Sequence, residues 1–400
     1  MTNEHLGRVI DTWECPSGEG VVLDTGTAII KIASLVPLKA GALVQFEHDG
    51  IAPQQVRVLS VPYQWDSSGD ATRWLGRRRE CLMSRHRAAH TIRGWFMDKG
   101  FLEAETPLLV PGMAPDPHLD PICADGGYLV TSTEYQLKRM FVGGFHKAYT
   151  LTKNFRKGEK GRFHNPEFTM LEWGRVGGSL DQIESDAQAF IQAAARAVGR
   201  GGALSWNGQE VDVMARAWQR VDLLEALKSR FGLSIPMSFD VAETNAELAR
   251  TKLLREGTPL PQNRFEAVSI LVDLLQPHLG HPVPTFLRGW PAFLTPSSET
   301  LKDDPNVADR SELFIAGVEL ADGFAFARDA RVQRERFEAA HLARKELGTP
   351  PVTVDERYLQ ALEAGLAPGA GMAMGFDRLA MLLTGASEIR DVLPFAWDER

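Results

Sequence analysis

Residues 156–172 read RKGEKGRFHNPEFTMLE: cations first, then two aromatics around a histidine, then an apolar run ending in a carboxylate. The segment before it, TLTKNF, has the β-branched alternation of a strand, and PEFTMLEW reads as the strand that returns. Gly158 and Gly161 permit the turn between them. A strand–loop–strand of this kind sets Arg156 to meet a phosphate, because a planar guanidinium matches phosphate oxygens. It also sets Phe168 to lie under a flat base. Composition alone leaves a second reading open, a hairpin whose charges are simply solvated.

Working outward, the chain from about residue 73 alternates helical and extended signals. Leu82, Ala89, Ile92 and Phe96 fall at helical spacing, and Gly100 stands where a C-terminal cap would. Long helices are expected in SLDQIESDAQAFIQAAARAVG and VQRERFEAAHLARKELG, and GAGMAMGFDRLAMLLTG is glycine-rich, then helical. There are no regular βαβ units and no Walker or dinucleotide glycine motif. The expected class is α+β, with a mostly antiparallel sheet flanked by helices. Before residue 64 the chain is β-rich: GRVIDT, GVVLDTG, TAIIKIAS, ALVQFEHD and QQVRVLSV are separated by turn formers. Five short strands suggest a small barrel of the oligonucleotide-binding (OB) type. The expected division is a barrel at 1–63, a linker at 64–74 and a larger domain at 75–400.

The 400 residues carry a net charge of -8 and are 44% apolar, an ordinary globular balance. No apolar run has membrane-spanning length. The three cysteines, Cys15, Cys81 and Cys123, form neither a disulfide framework nor a zinc pattern. With no signal peptide in MTNEHLGRV, a cytoplasmic protein is expected. Residues 1–63 hold four basic side chains against seven acidic ones and few aromatics (Trp13, Phe46, Tyr63). Single-strand binders need a positive groove with stacking platforms, so the barrel reads as a structural or protein-contacting module.

The stretch NFRKGEKGRFHNPEFTMLEW resembles motif 2 of class II aminoacyl-tRNA synthetases, in their lysyl branch, and HNPEFTMLEW is most like the truncated paralogues that lysylate elongation factor P. FLEAETPLL resembles motif 1, the dimer-forming element. TSTEYQLKRM resembles the amino acid-binding strand of the family, and GAGMAMGFDRLAMLL resembles motif 3. VPTFLRGWPAFLTP and ELFIAGVELADGF match the segment before motif 3, so the likeness runs from about residue 75 to the end.

The resemblance implies ATP and Mg²⁺. By it, Arg156 clamps the α-phosphate, Phe168 stacks on adenine, His164 lies near the nucleotide and Arg378 contacts the γ-phosphate. Glu312 and Glu319 hold magnesium, and Glu134 binds the substrate's amino group. The chain also departs from the pattern. The motif 2 acid expected at Gly158 is displaced to Glu159. Glu172 is retained among the acids that bracket a lysine ε-ammonium, but the expected tyrosine is Gly174. The family's NGFHEL or NGFSEL is DGFAFA here, so Asp322 replaces asparagine and Phe326 replaces an acid, with Phe324 unchanged. Gly174 is expected to open space, and Phe326 to add an apolar wall. Ala373 stands where lysyl-tRNA synthetases carry glycine and the elongation factor P ligases carry alanine.

The expected activity is AMP-forming activation of an amino acid and its transfer to a protein lysine, as in elongation factor P modification. The substrate is expected to be a β-amino or modified cationic amino acid facing Glu134, Glu172 and Asp322, with a neutral one as second choice. A lysyl-like tRNA synthetase is an alternative disfavoured by the acidic barrel, and transfer to a small molecule or carrier protein is another. Motif 1 implies a homodimer.

Overall fold

The computed structural model describes residues 4–15, 18–26, 28–33, 38–48, 53–61, 77–116, 119–255 and 257–399, so the expected linker at 64–74 lies outside them. The chain divides into two compact units, 1–80 and 81–400.

The first unit is a five-stranded antiparallel sheet: β1 (Glu4–Cys15), β2 (Gly18–Asp24), β3 (Ile29–Ala33), β4 (Leu43–His48) and β5 (Pro53–Ser60). Its order is β3-β2-β1-β4-β5. The long β1 pairs with β2 through its second half and with β4 through its first, and a register shift between Val9 and Asp11 marks the change. Such a bulge sharpens twist and lets one strand serve two neighbours, as a curled, barrel-like sheet requires. Alternating residues fill the inside: Val21 and Leu23 from β2, Val44 and Phe46 from β4, with Val9, Leu38 and Ala42. Phe46 is thus core, not a stacking platform. Gly7 allows this packing, since a Cβ there would come within 2.9 Å of the Phe46 ring.

The second unit is built on an eight-stranded sheet: β6 (Leu102–Glu103), β7 (Lys147–Phe155), β8 (Glu167–Val176), β9 (Gln219–Asp222), β10 (Thr285–Arg288), β11 (Arg310–Ile315), β12 (Val318–Ala325) and β13 (Gly369–Gly375). The order is β9-β10-β11-β12-β13-β8-β7-β6. All neighbours are antiparallel except the two edge pairs, β6–β7 and β9–β10. One face carries Tyr149, Leu171, Trp173, Leu313, Ala321 and Met374 into the main core. There they meet α1 (Arg77–Asp98), which supplies Ile92 and Phe96, and helices that supply Ile183, Phe190, Leu379 and Leu382. Those last are α3 (Leu180–Ala197), opened by a capping box of Ser179 and Gln182, and α9 (Phe376–Thr384). Gly100 closes the turn after α1 with φ +72°, a conformation that suits glycine. A satellite core of α4 (Leu223–Phe231), α5 (Val241–Thr251) and α6 (Arg264–Leu275) packs around Leu227, Phe239 and Leu271.

One local expectation is corrected. TSTEYQLKRM is not a strand, because Glu134–Val142 forms a helix, α2. Its buried residues Tyr135, Leu137, Lys138 and Phe141 recur at helical spacing and outweigh the β-branched residues before them. Tyr135 stacks on Tyr358 of α8 (Glu356–Gly365) at 4.0 Å between centroids, beside α7 (Ala330–Glu346). These helices wall off the second face of the sheet.

Candidate active site

Side chains alternate along a strand, so residues opposite each other on neighbouring strands form rungs on one face. One rung here runs Thr150, Glu172, Ala373, Asp322, Glu312 across β7, β8, β13, β12 and β11. The next on the same face runs Ala148, Gly174, Gly371, Phe324, Arg310. The antiparallel order therefore gathers residues of five strands from three distant stretches of sequence. Above them lies a cavity of about 500 Å³, lined by Glu134, Arg156, Glu159, His164, Phe168, Glu172, Glu319, Asp322, Phe324, Phe326, Ala373 and Arg378, among others. Of the expected site residues, Gly174 and Glu312 stand behind this lining, each a member of the rungs beneath it.

At one end, Arg156 follows β7, and its backbone N–H donates to Pro166 O at 2.9 Å, closing the hairpin with β8. Its guanidinium carbon lies 5.2 Å from the centroid of the Phe168 ring. Arg156 Nε is buried without a hydrogen-bond acceptor. A buried donor left unpaired costs about 1–3 kcal/mol, more when charged, and a bound anion removes that cost. Glu159 Oε1 is 3.7 Å from Arg156, across the turn at Gly158, whose φ is +79°. Arg378, on α9, donates to Glu319 O at 2.8 Å and to His164 Nε2 at 2.8 Å, and lies 3.7 Å from the Glu319 carboxylate. Burial and the Arg378 guanidinium hold the His164 ring below its ordinary pKa, so a neutral ring accepts that bond. Two guanidinium groups and an aromatic face thus open on one space.

At the other end, Glu172 is buried and accepts from Ser132 Oγ (2.9 Å), Thr133 N (3.0 Å) and Thr133 Oγ1 (3.0 Å). Burial raises its pKa to about 7 despite those three donors. Asp322 accepts two bonds from Arg310, at 2.8 and 3.0 Å, and Glu312 accepts a third at 2.6 Å. Burial pushes the Glu312 carboxyl up, Arg310 opposes that, and Asp322 and Glu319 reinforce it. The repulsion that Asp322 would exert on a substrate carboxylate is therefore offset by Arg310. Glu134 is paired with Lys138 Nζ at 2.7 Å. Of the three carboxylates expected to face an ammonium, two already hold cations of the chain itself.

Gly174 corrects a further expectation. A Cβ there would lie 2.8 Å from Phe141 and 3.0 Å from Phe326, so the missing side chain leaves no space. Those two rings fill it, stacked at 5.6 Å between centroids. Arg310 and Lys138 were missed by sequence reading. Their signals were spacing: Arg310 stands two residues before Glu312 on one strand face, and Lys138 four after Glu134 on one helix face.

Among the described residues, no group of three or more His, Cys, Asp or Glu is arranged to hold a metal ion alone. Glu319, with its side chain 46% exposed, is a hard oxygen donor beside Arg378, and Glu312, held by Arg310, is a second carboxylate near enough to interact with it. That set suits Mg²⁺, which takes one or two carboxylates together with substrate phosphates. No helix among the described residues is long and apolar enough to cross a membrane.

Comparison with known proteins identifies the family. The family model for class II tRNA synthetases (D, K and N) matches residues 74–399. A protein of Proteus mirabilis (strain HI4320) named elongation factor P–(R)-β-lysine ligase is 34% identical over 325 residues, covering 78% of this chain and 94% of that protein. Its namesake in Enterobacter sp. (strain 638) is 33% identical over 329 residues, covering 79% and 95%. A third, from Salmonella gallinarum, is 32% identical with the same coverage.

Proposed function

The chain belongs to the class II tRNA synthetases of the D, K and N type, and from that premise we propose that it activates a β-amino acid with ATP and transfers it to a lysine of an elongation factor P-like protein. Family membership makes the chain an AMP-forming amino acid ligase. The acceptor and the β-amino class follow the names of the relatives and the alanine at position 373.

The carrying observation is that one cavity joins an anion-seeking end to a carboxylate-bearing end. In this reading Arg156, with its unsatisfied Nε, binds the α-phosphate, and Arg378 binds the far end of the triphosphate. Phe168 stacks on the base. Glu159 and the backbone at Gly158 take over the role of the displaced motif 2 acid. Glu312 and Glu319 would hold Mg²⁺, which would neutralise phosphate charge. Attack by a carboxylate on the α-phosphorus needs alignment and charge stabilisation more than covalent help. Arg156 supplies both at the reacting atom, while Arg378 steadies the departing pyrophosphate. The acyl-adenylate that remains is then attacked by a lysine ε-amine, which forms the amide and breaks the acyl–phosphate bond to release AMP. That amine must first lose its proton, since its unperturbed pKa is about 10.4. Glu172 receives the amino group of the substrate in the rung beside Ala373.

The reading extends to a cytoplasmic homodimer formed through the 101–107 segment, with residues 1–63 as a separate acceptor-contacting module. ATP–pyrophosphate exchange driven by an amino acid, followed by transfer of radiolabel to purified elongation factor P, tests it. Label passing to total tRNA and not to the protein would overturn the acceptor assignment.

A further inference from the structure

The carboxylate-bearing end of the cavity closes on a set of side chains that the proposed nucleotide contacts do not use. Phe326 is 3% exposed and lies on a bed of glycines. A Cβ at Gly174, Gly369 or Gly371 would come within 2.8–3.0 Å of its ring. Phe141 stacks against it, so the wall is rigid and has no acceptor. Beside it Lys138, 1% exposed, holds its ammonium 5.3 Å from the Phe324 centroid, 5.4 Å from Phe326 and 5.9 Å from Tyr358. Glu134 and the Ser297 carbonyl, at 2.7 and 3.5 Å, complete the enclosure. Cation–π contact and an ion pair together make this a well-satisfied buried cation.

The count of acceptors decides what else fits. Glu134 already holds Lys138 and Asp322 holds Arg310, so Glu172 is the one of these three carboxylates that carries no cation of the chain itself. A second ammonium would meet the apolar Phe326 wall and the like charge of Lys138, and a buried charge without a partner is costly. We propose that the amino acid activated here carries a single amine and a small, uncharged side chain, and that Lys138, Phe141 and Phe326 exclude diamino acids such as lysine. This rests on the activation proposed above and names the substrate class for that same site.

The test is ATP–pyrophosphate exchange by the full-length protein with β-alanine, (R)-3-aminobutyrate, L-alanine, L-lysine and (R)-β-lysine. A monoamine should give kcat/KM at least tenfold above either lysine. If L-lysine or (R)-β-lysine is the best substrate, the exclusion is overturned and the activation stands. Exchange with none of the five overturns both. A second arm uses Phe326→Glu, with folding checked by its melting curve. The new carboxylate should draw Lys138 from Glu134, free Glu134 for a second amine, and lower the KM for (R)-β-lysine at least tenfold. An unchanged ratio between monoamines and (R)-β-lysine in a folded variant overturns the role given to Phe326.

Discussion

Arg156 and Glu172 carry opposite problems at the residue scale. Arg156 has a buried donor with nothing to bond, so its alignment is set by the Phe168 ring and the loop, and its partner is expected from outside. Substituting it with Ala should lower amino acid-dependent exchange about 10²–10³-fold, the range for losing one donor aimed at developing charge. Exchange at the unmutated rate would remove Arg156 from the reaction. Glu172 has donors in place but is buried, and its pKa of about 7 lies above the ordinary carboxyl value of 4.5. The native protein therefore holds a proton between about pH 4.5 and 7 that the unfolded chain has lost. Its relative contribution to stability is full below pH 4.5 and declines as pH rises through 7, by roughly 3 kcal/mol at most. Melting of the ligand-free protein should show that decline, and Glu172→Gln should flatten it. A bound ammonium favours the ionised form, so the KM for the amino acid should fall as pH rises from 6 to 8.

Among the elements, the hairpin of β7 and β8 was legible because charge, glycine and alternation sit within one short stretch. Four helices, α1, α3, α7 and α9, were legible from periodicity and caps, whereas α2 read as a strand and α4, α5, α6 and α8 gave no signal that was used. What sequence could not show was which distant side chains fill a vacancy. Gly174 read as open space, yet Phe141 comes from α2 and Phe326 from just beyond β12, and only the folded sheet brings them together. Arg310 was invisible for a related reason, since its partner Asp322 faces it only through the β11–β12 register. The same dependence on tertiary contact fixes α9. Asp377, 1% exposed, accepts from Arg85 of α1 at 2.6 Å and from Thr169 N of β8 at 2.7 Å. It thereby ties the helix bearing Arg378 to the strand bearing Glu172. Asp377→Ala should destabilise the protein by about 3 kcal/mol, because it strands the Arg85 charge and a buried backbone N–H. Asp377→Asn keeps an acceptor for Thr169 and should lose less. Equal melting temperatures for the two variants would show that the Thr169 bond contributes nothing.

At the scale of the whole molecule, the chain carries a first unit that the relatives have no room for. The matched region covers 94–95% of their length, and the family model begins only at residue 74. The proposed dimer would form through the second unit, where Met97, Leu102 and Leu109 are 72%, 42% and 45% exposed around the segment that resembles motif 1. Light scattering should give twice the mass of one chain, with or without the first unit. The first unit has its own core around Val44 and Phe46, so its removal leaves no cavity in the larger unit's core clusters. Its charge is acidic, seven acids to four bases over residues 1–63, which suits a basic protein surface better than a nucleic acid backbone. Deleting residues 1–63 should leave amino acid-dependent exchange unchanged and raise the KM for the protein acceptor about tenfold at low salt. Because exposed charges are screened within about 8 Å at physiological ionic strength, the difference between full-length and truncated protein should shrink as salt is added. A truncated protein that loses exchange would make the unit a structural support of the active site. One that transfers to the acceptor with an unaltered KM would exclude it from acceptor binding.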